Sequence, residues 1–307
     1  MRILYSSEAS AIATDTEIPG MLESVSASFS REVVHTLAFP RHFIAEPTNN
    51  RLAARWITDQ LQSYGYHPFY QGKYANVVAF KFPSWEGNPR NGVILIGAHY
   101  DSVPGTPGAD DNASAVAALL GCAKAVAEYA GDVSVCFTAF NREEDNLIGS
   151  ADFVKTYLPE SGLQVRQAHI LEMVGYCSCS PKSQRKPLGL PVTIPDRGDF
   201  LGLIGNKHSN PLIDHLLQQA KSYLPDFSVV GLQVFFGLEK FFYHLLRSDH
   251  TSFWRRGLPA LMWTDTANFR NPNYHRVTDT PDTLDYAFLR RVTQLLVLQV
   301  LLKFEKF

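Results

Sequence analysis

Cysteine is scarce in this chain, and the four present, Cys122, Cys136, Cys177 and Cys179, are too few to staple 307 residues. Disulfide-rich secreted architectures are thereby set aside, and a reducing compartment is expected. An excess of charge of either sign is also missing, since 28 basic and 30 acidic side chains leave a formal net charge of -2. With the basic residues scattered, there is no cationic patch of the kind nucleic acid requires. No apolar run is long enough to span a bilayer, and the opening residues, Met1 to Glu8, lack the apolar stretch of a signal peptide. The expected protein is cytoplasmic, with neither nucleic acid nor membrane as a partner. Internal repeats and Gly/Ser linkers are absent as well, which argues for one domain over 1–307.

What the chain does contain is an alternation of hydrophobic periods. Residues 1–20 are polar and expected to form a lead-in strap. A helix is expected over 22–37, and another runs from an Asn49-Asn50 cap through Leu52, Trp56, Ile57 and Leu61 to Gly65. Residues 75–82, 92–97 and 133–140 are rich in Val, Ile and Phe and read as strands, the last two apolar enough to be buried. Between those two lies 113–129, small and apolar throughout, a helix suited to close packing on a sheet. Helix 148–157, strand 169–174, helix 211–224, strand 260–264 and a closing helix from about 281 to 304 complete the order. Such alternation predicts an α/β fold, a three-layer α/β/α sandwich around a mixed, mostly parallel sheet. Residues 176–209, with Pro181, Pro187, Pro191 and Pro195, break the rhythm; a loop this long either rims a site or is an irregular surface excursion.

Polar clusters follow three of these strands directly. Gly97-Ala98-His99-Tyr100-Asp101-Ser102 ends the first, Glu143-Glu144 follows the second, and Glu172 ends the third. In open α/β sheets ligands bind beyond the carboxyl ends of the strands, so these positions converge in space. An imidazole among carboxylates is the donor set that zinc and similar ions take. A second acidic segment, Gly108-Ala109-Asp110-Asp111-Asn112, follows His99 after a Pro/Gly loop, and a late polar loop carries Tyr274-His275 and Asp279-Thr280-Pro281. Asp279 or Thr280 is expected to cap the closing helix, and Asp111 to cap the helix near Asn112. Ser248 or Asp249 caps a short helix, or Asp249 or His250 contacts substrate.

The order G-A-H-Y-D-S, G-A-D-D-N-A-S, N-R-E-E-D-N-L-I-G-S, L-E-M-V-G, S-D-H-T-S-F and Y-H-R-V-T-D-T-P-D resembles the zinc-dependent aminopeptidase family, whose wider relatives include glutaminyl cyclases and glutamate carboxypeptidases. The resemblance runs from about residue 50 to the last helix and implies a zinc exopeptidase-like fold. It implies that His99 and Glu172 bind a first Zn2+, that Asp110 bridges to a second, and that Glu144 and His275 complete the second site. Glu143 is then the general base, and Asp101 accepts the second ring N–H of His99. Tyr274 either donates to the developing oxyanion or props the histidine loop. Many members have Asp where this chain has Glu172, so two ions are expected and one remains an alternative. The expected reaction is release of the N-terminal residue from a peptide with a free N-terminus; a single ion on Asp110, Glu144 and His275 would instead suit cyclisation of N-terminal glutamine. A metal-free binding module would be expected to lack ligands, and here they are present. Aromatics at Phe235-Phe236 and Phe241-Phe242-Tyr243 pack in the core or line an apolar pocket.

Overall fold

The computed structural model describes residues 1–83 and 92–302. Its strands are β1 (Arg2–Tyr5), β2 (Phe69–Gln71), β3 (Asn76–Lys81), β4 (Val93–His99), β5 (Val135–Phe140), β6 (Val165–Glu172), β7 (Leu201–Gly205), β8 (Val229–Gln233) and β9 (Ala260–Thr264). All join one sheet in the order β1-β8-β7-β9-β6-β4-β5-β3-β2. The four central strands β5, β4, β6 and β9 run parallel. β7 and β8 are parallel to each other and antiparallel to β9, and the edge pairings of β1 and of β2-β3 are antiparallel. The carboxyl ends of the central four therefore lie along one rim.

The helices are α1 (Ile18–Ser24), α2 (Ala27–Leu37), α3 (Pro47–Ser63), α4 (Ala115–Glu128), α5 (Ile148–Asp152), α6 (Leu158–Ser161), α7 (Asn210–Tyr223), α8 (His250–Trp254) and α9 (Tyr286–Leu301). Strand periodicity sorts them into two layers. Ile94, Ile96 and Ala98 of β4 join a core shared with α2, α4, α7 and α9. Val93 and Leu95 face the other way, onto Phe153, Leu158 and Phe253. The small residues of α4 serve close approach: a Cβ added at Gly121 would stand 3.0 Å from Thr293 Cγ2 of α9.

Several boundaries differ from expectation. The lead-in segment contains β1, which pairs with β8 at the sheet edge. β7 and β8 were not foreseen, because Gly202, Gly205 and Gly231 dilute the apolar signature that marks a strand. The helix expected over 22–37 is broken after Ser24, and the Ser26 hydroxyl accepts Phe29 N–H at 3.3 Å to start α2. α3 begins at Pro47, so Asn49 and Asn50 do not cap it; Asn50 is buried and donates to the Arg41 carbonyl and to Asn141. α9 starts only at Tyr286, where Asp285 accepts the N–H groups of Ala287 and Phe288, because Pro281–Thr283 forms a separate 3-10 turn. The expected end of that helix at 304 lies outside the described residues. Among the described residues no helix is long and apolar enough to cross a membrane.

Candidate metal centre

His99 is the last residue of β4, and its buried ring stands in an acidic cluster. Its Nε2 lies 3.3 Å from Asp111 Oδ1, 3.5 Å from Glu172 Oε2 and 3.9 Å from Glu143 Oε2. On the far side of Asp111, His275 Nε2 is 3.1 Å from Oδ2 and 3.7 Å from Glu144 Oε2. One carboxylate thus offers one oxygen to each of two imidazoles. Within it, His99 with Glu143 and Glu172, and His99 with Asp111 and Glu144, form two groups whose donor atoms lie within 4.8 Å of one another.

These atoms fit a cation. His99 Nε2, Asp111 Oδ1 and Glu144 Oε1 are buried without a hydrogen-bond partner, and buried polar atoms are nearly always satisfied by protein, water or ion. Electrostatics agree. Burial works against charge on His99, yet Glu143 and Glu172 outweigh it and hold its pKa well above the ordinary value. Burial, aided by neighbouring carboxylates, drives Glu143 and Glu144 well above the usual carboxylate range. Burial pushes Asp111 upward as well, but the nearby His275 and His99 bring it below that range. Concentrated negative charge of this kind needs an internal cation or it takes up protons.

Asp110 is the main departure from the expected ligand set. The residue between the two histidines is Asp111, while the Asp110 carboxylate points behind the site, accepting Gly175 N–H at 2.9 Å and Asn271 Nδ2 at 2.7 Å. Successive side chains diverge, and the backbone leaves helical geometry at Asp111 (φ -104°, ψ 81°) and Asn112 (φ -137°, ψ 33°), turning the second carboxylate to the cluster. Asp111 therefore does not cap α4. Asp279 does not cap a helix either: its Oδ1 and Oδ2 accept the N–H groups of Asp110 and Asp111 at 2.9 and 3.1 Å. Asn271 and Asp279, on either side of His275, tie the histidine loop to the acidic turn.

The remaining expected residues gather at the same rim. Asp101 sits behind His99; the nearer acceptor for Nδ1 is the Asp101 carbonyl at 3.2 Å, with the carboxylate at 3.5 Å. That carboxylate accepts the backbone N–H groups of Glu143 and Glu144 at 3.2 and 3.3 Å, so one residue steadies both halves of the cluster. Glu172 Oε2 accepts Ser248 Oγ at 2.7 Å, and no side chain caps α8. Tyr274 stacks on His275 with ring centres 3.7 Å apart, and its hydroxyl accepts a hydrogen bond from Arg247. Arg247 carries no expectation from the sequence, and Ser248, expected as a helix cap, instead holds the Glu172 carboxylate.

A cavity of about 360 Å³ opens onto the cluster. Gln184, Arg185, Pro187 and Leu190 of the long loop line it, with Leu203, Ile204 and Leu232 from the sheet and Tyr243. Phe236 and Phe241 are 93% and 79% exposed, so they neither fill the core nor line this cavity. Cys177 and Cys179 are free thiols and lie outside its lining.

Residues 76–300 match the model of Peptidase family M28. The uncharacterized protein YfbL of Escherichia coli strain K12 is 34% identical over 240 residues, which are 73% of this chain and 70% of that one. Aminopeptidase YwaD of Bacillus subtilis strain 168 is 36% identical over 101 residues, 33% of this chain and 22% of its own length. The crystal structure of the Legionella pneumophila LapA aminopeptidase superposes with a TM-score of 0.73 at 18% identity, covering 97% of this chain and 78% of that one, a likeness of fold.

Proposed function

This chain belongs to peptidase family M28, and from that membership we propose that it is a zinc-dependent aminopeptidase, releasing the N-terminal residue of peptides. The observation that carries the reading is Asp111, with one oxygen 3.3 Å from His99 and the other 3.1 Å from His275. His99 and Glu172 would hold one ion, Glu144 and His275 a second, and Asp111 both. Bound there, divalent zinc would polarise the scissile carbonyl and make a water easier to deprotonate.

The chain's own residues supply the remaining steps. Glu143, buried beside the cluster with its pKa raised by burial, takes the proton of the attacking water and returns it to the leaving amine. The acidic rim attracts the substrate's α-ammonium group. Because the Tyr274 hydroxyl accepts from Arg247, its own proton is free to be donated to the developing oxyanion. Asp101 fixes the orientation of His99 and of the Glu143-Glu144 backbone.

The test combines metal content with product analysis. Two zinc ions per chain, with cleavage of a peptide but not of its N-acetylated form, are expected. On a Gln-initiated peptide, free glutamine supports hydrolysis, whereas a pyroglutamyl product with one zinc per chain would replace this reading with cyclisation.

A further inference from the structure

The cavity that opens on the acidic cluster is charged at two places, not one. Asp111, Glu143, Glu144 and Glu172 form its negative part, and besides Arg255 the pair Arg185 and Arg247 also line it. Both guanidinium groups converge on Asn268: Arg247 Nη1 donates to its side-chain oxygen at 2.8 Å, and Arg185 donates to its carbonyl. Among the described residues neither arginine has a carboxylate within ion-pair distance. Arg247 further donates to the Tyr274 hydroxyl, and the Tyr274 ring stacks on His275. The Arg247 charge therefore lies one phenol ring from His275, with Arg185 beyond it across Asn268.

A guanidinium has five N–H donors; Arg247 also stands 3.4 Å from His244 Nδ1 through Nη1, so about two of its donors remain open, and Arg185 uses only one. The flat guanidinium fork matches a carboxylate, and weak hydration makes arginine well suited to binding one; here Arg247 is partly buried and Arg185 exposed. Resting on the aminopeptidase reading, we propose that Arg247 and Arg185 form a carboxylate-binding subsite on the leaving-group side of the scissile bond. The substrates it favours carry a carboxylate on the residue after that bond, as the terminal carboxylate of a dipeptide or as an acidic side chain at the second position. Such a ligand is a zwitterion whose charges complement the two parts of the cavity, amine to the acids and carboxylate to the arginines.

The zinc-loaded full chain is assayed on Leu-Leu, Leu-Leu-amide, Leu-Asp-amide and Leu-Asn-amide. We expect kcat/KM for Leu-Leu to exceed that for its amide by on the order of tenfold or more, mainly through KM, as loss of a charge-assisted bidentate pair implies. Preference for Leu-Asp-amide over Leu-Asn-amide would assign the subsite to side-chain carboxylates as well. In Arg185→Met the ratio of Leu-Leu to Leu-Leu-amide should fall toward one, and Arg185→Lys should retain part of it. Equal kcat/KM for the acid and the amide in the unaltered protein would overturn the subsite. Calorimetric binding of the same pair to the Glu143→Gln variant repeats the comparison without turnover: tighter binding of the acid with no cleavage by the unaltered protein would sink the peptidase reading and keep the subsite, and equal binding would sink the subsite alone.

Discussion

Asp111 and Glu143 divide the work of the cluster by geometry: the first faces both histidines, the second faces only His99, at 3.9 Å. Replacing Glu143 with Gln should therefore leave zinc content unchanged while lowering kcat by about 10²–10⁴-fold, the usual weight of a general base; loss of zinc alongside activity would make Glu143 a ligand instead. Asp101→Asn tests the support behind it. Weakening the acceptor for two backbone N–H groups and for the His99 ring should cost about 10–100-fold in zinc affinity, read by competition with a chromophoric chelator. The motif G-A-D-D-N was legible as acidic and adjacent to the site, yet which of its two aspartates faces the histidines was not. That depends on a local departure from helical backbone, and no spacing in the sequence records it.

Between strand β4 and the acidic turn, one element is fixed by a residue from another. Arg41, wholly buried in the loop between α2 and α3, donates to the carbonyls of Tyr100, Leu37, Pro107 and Gly108 at 2.6 to 2.9 Å. It thereby holds both ends of the loop that separates His99 from Asp110-Asp111. Burial lowers its pKa to about 10, with the charges of Asp101, Asp279, Asp111 and Glu144 opposing that shift, so it stays charged at neutral pH. Arg41→Met should cost about 3 kcal/mol or more, because several buried carbonyls lose charge-assisted partners at once. A urea midpoint within error of the unaltered protein would show that the clamp contributes nothing. Helices and strands with clean periodicity, such as α4 and β5, were readable from the chain. The joint of α1 with α2 and the late start of α9 turn on caps at Ser26 and Asp285 that compete with equally plausible cap residues nearby.

For the molecule as a whole, two buried histidines outside the cluster lower stability in acid, against the opposite contribution of the raised carboxylates Glu143 and Glu144. Burial lowers His169 to about 3 and His250 to about 4, and His169 Nδ1 accepts the Trp263 indole N–H at 3.1 Å, which requires the neutral ring. Unfolded, both would bind a proton near pH 6.5, so the stability they retain is complete above that value and is lost as pH falls toward their folded values. The expected slope is about 1.4 kcal/mol per pH unit for each histidine below 6.5. Urea denaturation at pH 7 and pH 5 measures it, and His169→Gln should flatten the dependence. On the proposed reading zinc would act on the same equilibrium, since an ion that binds only the folded chain should stabilise it by about 2.7 kcal/mol at a hundredfold excess over Kd. A chelator should lower Tm accordingly; an unchanged Tm would mean that the cluster holds no ion.

The sequence by itself determined the α/β alternation, the imidazole and carboxylate side chains that gather and the rim on which they lie, because periodicity, residue type and position after a strand are local properties of a chain. It also carried the motifs that mark the family. Only the tertiary structure decided that Asp111 rather than Asp110 stands between the histidines, that Asp279 and Asn271 tie the two loops together, and that Arg185 and Arg247 meet at Asn268. Three of those contacts, Asp279 and Asn271 with Asp110 and Arg185 with Asn268, join residues 83 to 169 positions apart. Long-range pairings are fixed by the packing of a nine-stranded sheet, where a single backbone turn redirects a side chain, and no local pattern in the chain encodes which partner it will meet.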